Sequence, residues 1–224
     1  MAISHNNILK DGSDKPVQER LLDAAEELFC EHGFEGASIR DIAASADCNI
    51  ASVNYYFGGK EKLYTEVWRR HLIQMRNARI GGIQEVMSQN GGNPSLEDLL
   101  RSFADAMLGP LVDENKTRRL MKLMAREMID QRLPTNMFVE EIVTPTMTAM
   151  QGALTKVCPG LEGTKVPMVV FSIAGQLVQL IHIKAMFEQL DGVEMPKFDL
   201  TEAVNHIVTF SAAGIRAYAE EKTE

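Results

Sequence analysis

Four uncharged polar residues, Ser172, Gln176, Gln179 and His182, stand at steps of four, three and three along the apolar stretch from Val166 to Ile183. That spacing gathers them on one side of a helix, and the first charge after them is Lys184. A solvated helix face normally carries charges. Uncharged polar groups among apolar neighbours also suit a pocket that orients a small ligand, or a surface that meets a second subunit. All three readings stay open for this face. Methionine is frequent, at 13 residues. Met75, Met107, Met121, Met124, Met128, Met147 and Met150, with Trp68, Phe103 and Phe171, form a candidate apolar lining, because thioether chains adapt to irregular shapes. The plainer alternative for them is core filling. Arg126 and Glu127 interrupt a Met-rich helix, as a surface pair or as a pocket anchor.

Other chemistry is missing from the sequence. His5, His32, His71, His182 and His206 have no Cys, Asp or Glu partner at metal-ligand spacing, and there is no Gly-rich phosphate loop or nucleophile elbow. Cys30, Cys48 and Cys158 form neither a ligand set nor a disulfide framework, which favours a reducing, cytoplasmic setting. No metal, cofactor or catalytic residue is therefore expected, and a helical enzyme is the least favoured class. The polar start, Met1 to Asp14, lacks the order of a signal peptide. The polar groups of Val166–Ile183 argue against a lipid-exposed helix, so no membrane partner is expected.

The elements that position these residues read as helices throughout. The 224 residues contain 45% hydrophobic residues, 6% aromatic residues and only 8 prolines, which suits an all-α chain. Residues 1–14 read as a polar tail. A first helix runs from Pro16 to about His32, with Asp14 as N-cap and Gly33 as stop. Ser38 with Asp41 signals a second helix, Asn49 caps a short third one, and Phe57-Gly58-Gly59 ends it. Ile42, Val53, Tyr56 and Phe57 are expected to face inward. A fourth helix starts at Lys60 and passes Met75, with Gly81-Gly82 as a breaker. Further helices follow from Ser95, near Asn115–Gln131, near Phe138–Val157 with a kink at Pro145, and near 166–190 and 199–221.

Two short helices joined by a three- or four-residue turn form a helix-turn-helix pattern, in which the first braces the second. The net charge is −8, and residues 1–71 and 72–224 each carry −4, so neither half is a basic arm. Binding to a polyanion must then rest on a few well-placed cations.

The run Arg20-Leu21-Leu22-Asp23-Ala24-Ala25-Glu26-Glu27-Leu28-Phe29, then Gly33-Phe34, Ser38-Ile39-Arg40-Asp41-Ile42-Ala43, and Ala46-Asp47-Cys48-Asn49 through Tyr55-Tyr56-Phe57-Gly58-Gly59-Lys60-Glu61-Lys62-Leu63 resembles the DNA-binding domain of TetR-family transcriptional regulators. The resemblance divides the chain into the tail, a helix-turn-helix domain at 15–72, and an effector-binding and dimerisation domain at 73–224. It implies phosphate contacts from Ser38, Arg40, Tyr55, Tyr56 and Lys60, and contacts to base edges from Asn49, Ser52 and Asn54. Two features depart from the family. The short third helix has no Arg or Lys, and Ile50 stands where a polar residue is usual, which suits a thymine methyl.

The implied partners are a palindromic double-stranded operator, a second copy of the chain and a small, largely apolar effector that releases the DNA. Ile173, Leu177, Leu180 and Lys184, with Ala203, Ile207, Phe210 and Gly214, are the expected dimer stripe of the last two helices. A regulator or protein-interaction module that senses nothing small is the alternative.

Overall fold

The computed structural model describes residues 15–109, 114–188 and 199–220, with the side chains at 90, 114–118 and 184–188 outside that description. The expected tail and the Asp14 cap fall outside it too. Helices α1 (Val17–Gly36), α2 (Ile39–Ser45), α3 (Ile50–Phe57), α4 (Lys60–Ser88), α5 (Leu96–Leu108), α6 (Glu114–Asp130), α7 (Thr144–Val157), α8 (Val166–Glu188) and α9 (Leu200–Glu220) make up the fold, and no strand occurs among the described residues. The chain divides into two compact units. One is Met1–Arg70 with Arg118–Leu133, the head; the other is His71–Thr117 with Pro134–Glu224.

The head differs from the sequence expectation by gaining residues 118–133, which had been assigned to the second region. Side chains of α6 explain the change. Arg126 donates through Nη2 to the Glu31 carbonyl at 3.0 Å, capping the end of α1. Tyr64 donates to Glu127 at 2.9 Å, and the same carboxylate accepts from the Leu133 amide at 2.8 Å. Arg119 pairs with Glu27 at 3.5 Å, and Arg132 pairs with Glu35. Arg126 and Glu127 thus tie α6 to the head.

Gly33 makes the α1–α6 approach possible. Its φ of 73° and ψ of 178° lie in a region essentially reserved for glycine. A Cβ there would stand 2.1 Å from Arg126 Nη1. Beneath this corner, Leu21, Phe29, Ile42, Val53, Leu63 and Trp68 are fully buried. Arg70 completes the head by donating to Asp23 at 2.6 Å and to Glu26. Burial alone would raise the Asp23 pKa, but hydrogen bonds from Lys15 and Arg70 outweigh it and hold the carboxyl below its usual range.

In the second unit, a capping box opens α5. Ser95 accepts from the Asp98 amide, and Asp98 accepts from the Ser95 amide. The Gly81-Gly82 pair does not break α4, which runs on to Ser88. A Cβ on Gly82 would lie 2.9 Å from Ser102 Oγ, so the glycine's small size lets α4 and α5 approach. The kink expected at Pro145 takes the form of a π-helical turn, Val139–Val143, leading into α7. Proline has no N–H to give the Glu141 carbonyl, and the chain widens instead, with the Thr144 amide reaching back to Val139.

The core of this unit gathers Phe103, Met107, Met150, Leu154, Val169, Ile173, Leu177, Ile207 and Ile215 from α5, α7, α8 and α9, with Leu180 packed against it. This corrects the expected dimer stripe. Ile173, Leu177 and Ile207 are buried within the chain, Leu180 and Ala203 are half-buried, and of that set only Phe210 and Gly214 are exposed. The Lys184 side chain lies outside the described residues. Val166–Ile183 is long and apolar enough to cross a membrane, at mean hydropathy 1.7, but its Val166, Val169, Val170, Ile173 and Leu177 belong to this core.

Two outcomes follow. Gly33→Ala should cost about 1–3 kcal/mol in urea unfolding, and adding Arg126→Met should recover only the steric part, because the backbone strain persists. Arg70→Met should cost about 1–3 kcal/mol at neutral pH. Because the native Asp23 pKa is depressed, its stabilisation is present above the ordinary carboxylate range and is lost as pH falls through the native value. Stability measured from pH 7 down to acid should therefore fall less steeply in Arg70→Met than in the parent protein.

Candidate nucleic-acid interface

The second helix of the pair is set by its caps. Ser38 Oγ accepts from the Asp41 amide at 3.1 Å and donates to the Asp41 carboxylate at 2.6 Å, which starts α2. Asp47, at φ 49°, turns the chain back, and Asn49 Oδ1 accepts from the Ala51 amide at 2.8 Å to start α3. Gly58 closes α3 in the left-handed region at φ 75°. Val53 and Phe57 are buried and anchor α3 against α1 and α2. The opposite face of α3 is therefore turned to solvent.

Asn49, Ile50, Asn54 and Tyr55 all lie on the open side, with Ile50 51% and Tyr55 83% exposed, while Ser52 is half-buried. Tyr56 does not pack inward as expected. It is 44% exposed, with its ring edge-on to Tyr55 at 5.0 Å. At helical spacing the positions taken by Val53 and Phe57 fill the inward side, leaving no room there for a third large ring. Ile42, Val53 and Phe57 are buried.

Arg40 and Ser38 are exposed at the start of α2. Lys60 opens α4, half-buried, with its ammonium 4.5 Å from the centre of the Phe34 ring. Arg132 lies over the same ring at 4.2 Å. Sequence reasoning missed Lys62. This exposed lysine has Nζ 3.5 Å from where a Cβ on Gly58 would be, beside the end of α3. Its position two residues into a helix that follows a glycine pair was the available signal.

The candidate effector residues are divided between the two units. Trp68, Met121, Met124 and Met128 belong to the head, where Trp68 is buried, Met121 and Met124 are half-buried, and Met128 is 76% exposed. The others belong to the second unit. There Phe103 and Met107 are core, Met75, Met147 and Gln176 are half-buried, and Phe171, Gln179 and His182 face solvent. Two open clefts are polar instead. One is lined by Gly82, Glu85, Asp98, Arg101 and Asp105, and the other by Arg20, Asp23, Glu27, Asp47 and Arg119. Among the described residues, no cluster of His, Cys, Asp and Glu could hold a metal ion.

Comparison with known proteins gives this geometry a lineage. Residues 21–67 match the family model described as bacterial regulatory proteins, tetR family, and residues 96–215 match that of the HTH-type transcriptional dual regulator CecR, C-terminal domain. The probable HTH-type transcriptional regulator YttP of Bacillus subtilis is 29% identical over 52% of this chain and 53% of its own length. The HTH-type transcriptional repressor AcnR of Corynebacterium efficiens is 33% identical over 39% of this chain and 48% of its own. The chain thus spans about half the length of these two relatives. The CecR dual regulator of Shigella flexneri is 24% identical over 98% of this chain and 90% of its own.

A TetR-family regulator structure from Mesorhizobium loti superimposes with a TM-score of 0.65 at 19% identity, covering 90% of this chain and 95% of the other. The transcriptional regulator FadR from Bacillus subtilis, solved with stearoyl-CoA, gives 0.62 at 19% identity over 88% and 98%. With a head of this design and family models matching both of its parts, the chain belongs to the TetR family of transcriptional regulators.

Proposed function

We propose that the protein is a cytoplasmic homodimeric repressor that reads a palindromic operator and leaves it when a small effector binds. The observation that carries this reading is the division of α3. Val53 and Phe57 hold the helix in the head while Ile50, Asn54 and Tyr55 stay free on its outer face. A helix of this size fits the major groove. Asn49 and Asn54 supply amide donors and acceptors for base edges, and Ile50 suits a thymine methyl. Ser38, Arg40, Tyr55, Tyr56 and Lys60, joined by Lys62, hold phosphates. A chain of net charge −8 has little non-specific attraction for DNA, so these few contacts and the pairing of two heads supply the affinity.

Dimerisation falls to the outer face of α8 and α9. Met168, Phe171 and Val178, and Phe210 and Tyr218, are exposed, with open space around Gly175 and Gly214. Ser172, Gln179 and His182 lie on the same outer side of α8 and supply hydrogen bonds across the interface. Two such pairs make a four-helix bundle.

For release, the effector favours a conformation in which α4 tilts and the spacing of the two heads changes. The ties from Arg126 and Glu127 support α6 as a second lever on the head. The structural neighbour solved with stearoyl-CoA, and the multidrug binding protein EbrR solved with imidazole, illustrate small ligands on related folds. A second reading, a regulator without a small effector, draws on the packing of Phe103 and Met107 into the core.

Binding to an operator selected from random duplexes tests the head. Lys60→Ala and Arg40→Ala should each weaken binding by about tenfold and reduce the salt slope by about 1. Asn54→Ala should instead relax sequence preference at one position. Unchanged affinity in all three would refute the interface. Sedimentation equilibrium tests the pairing. Phe171→Asp with Phe210→Asp should weaken the dimer by at least about thirtyfold, a hot-spot-sized loss. A dimer of unaltered affinity would place the interface elsewhere.

A further inference from the structure

The cations of the head differ in how they are held. Lys15 and Arg70 are tied to Asp23, Arg70 also to Glu26, Arg69 to Glu66 and Arg119 to Glu27. Arg40, Lys60 and Lys62, at the reading end, meet no carboxylate among the described residues. Arg132 shares features of both groups. It donates through Nη2 to Glu35, and its guanidinium carbon lies 4.2 Å from the centre of the Phe34 ring. The same ring carries the Lys60 ammonium at 4.5 Å. Two cations that share one ring at these distances stand within about 9 Å of each other. That is about the Debye length at moderate salt, so an anion drawn to one feels the other.

The bond to Glu35 is an easily exchanged one. The Glu35 side chain is 77% exposed and that of Arg132 is 35% exposed. Surface pairs of this kind contribute little to stability, because both partners stay hydrated. Arginine has five N–H donors in a rigid fork, and among the described residues only Nη2 of Arg132 has an acceptor. Glu35 itself stands three residues ahead of Ser38, where α2 begins. Arg132 therefore touches both the approach to α2 and the ring beside the start of α4, next to the side chains already assigned to phosphates.

We propose that Arg132 is a further phosphate-binding residue of the operator interface, braced by Phe34 and exchanged from Glu35 to a backbone phosphate when DNA docks. The guanidinium fork suits two phosphate oxygens as well as it suits a carboxylate. The inference rests on the operator-reading proposal and adds to it a residue that the chain supplies after α6, far from the helix-turn-helix in sequence. It also makes Glu35 a competitor of the DNA. In a chain of net charge −8, one cation gained or one competitor lost is a large share of the attraction.

The test uses the full-length protein and a labelled duplex selected from random sequence by the parent. Affinity is read by fluorescence anisotropy over a salt series. Arg132→Met keeps a side chain on the Phe34 ring and removes the charge. It should weaken binding by about tenfold and reduce the salt slope by about 1. Glu35→Gln breaks the same ion pair but frees the guanidinium, and should tighten binding by about threefold. Both variants should keep Tm within about 2 °C of the parent. Arg216→Met, which removes an equal charge from an exposed pair with Glu97 in the other unit, should bind within about twofold of the parent.

The opposite signs are decisive. An arginine that serves only to hold Glu35 would make the two variants act alike, with Tm falling in both and the salt slope unchanged. That result overturns the inference, as does an Arg132→Met affinity equal to that of Arg216→Met. Should Arg132→Met fail to fold, Glu35→Gln decides, and affinity unaltered or weakened in that variant overturns the inference. Lys60→Ala and Arg40→Ala are measured beside them. If these two weaken binding and Arg132→Met does not, the inference falls and the operator-reading proposal stands. If none of the head variants alters binding, both fall.

Discussion

The Phe34 ring is the point on which the head depends. It stacks beside Phe29 at 5.9 Å and meets the edge of Tyr64 at 5.3 Å. Two cations, Lys60 and Arg132, lie over it. These residues come from the end of α1, the start of α4 and the stretch that follows α6. Rings exchange quadrupole contacts at these distances, and a cation over an aromatic face gains roughly 0.5–1 kcal/mol at an exposed site. One aromatic side chain thus joins the apolar floor of the head to a lysine at its rim. Phe34 can sit there because Gly33 bends the chain in a way that no side-chain-bearing residue tolerates well.

From this corner the reading helix is built with little material. Ser38 and Asn49 satisfy the first amides of α2 and α3, Gly58 ends α3, and Val53 and Phe57 are its only large buried side chains. A helix of eight residues has little stability of its own, so packing and caps decide whether it forms. Because its inward side is so small, most of its surface is available to a ligand. The design also concentrates sensitivity, since loss of either anchor would release the whole reading face.

Much of the head was legible in the sequence because its signals are local. Caps, glycine stops and the run of small residues in the second helix depend on neighbours within a few positions, and Ser38, Asn49, Gly33 and Gly58 act as their types suggest. What failed to show depends on partners far along the chain. Gly81-Gly82 reads as a break until Ser102 supplies a helix surface that leaves no room for a side chain at Gly82. The apolar stripes of α8 and α9 have two sides, and periodicity alone does not say which side meets α5 and α7. The inner one, with Ile173, Leu177 and Ile207, became core, leaving Phe171 and Phe210 outside. Likewise Arg126 and Glu127 look like a surface pair until the ends of α1 and α4 provide a carbonyl and a phenol 95 and 63 residues away.

The widened turn ahead of Pro145 gives α7 a property that a regular helix lacks. Such a turn holds one surplus residue relative to the coil that continues from it. Sliding that surplus along the chain keeps the hydrogen bonds almost equal in number, yet it rotates each intervening side chain by about 100°. Glu141 stands inside the turn and is gripped by Arg76. The helix therefore carries built-in slack with an ion pair seated on it, so a small local rearrangement there can re-aim side chains without unwinding the backbone.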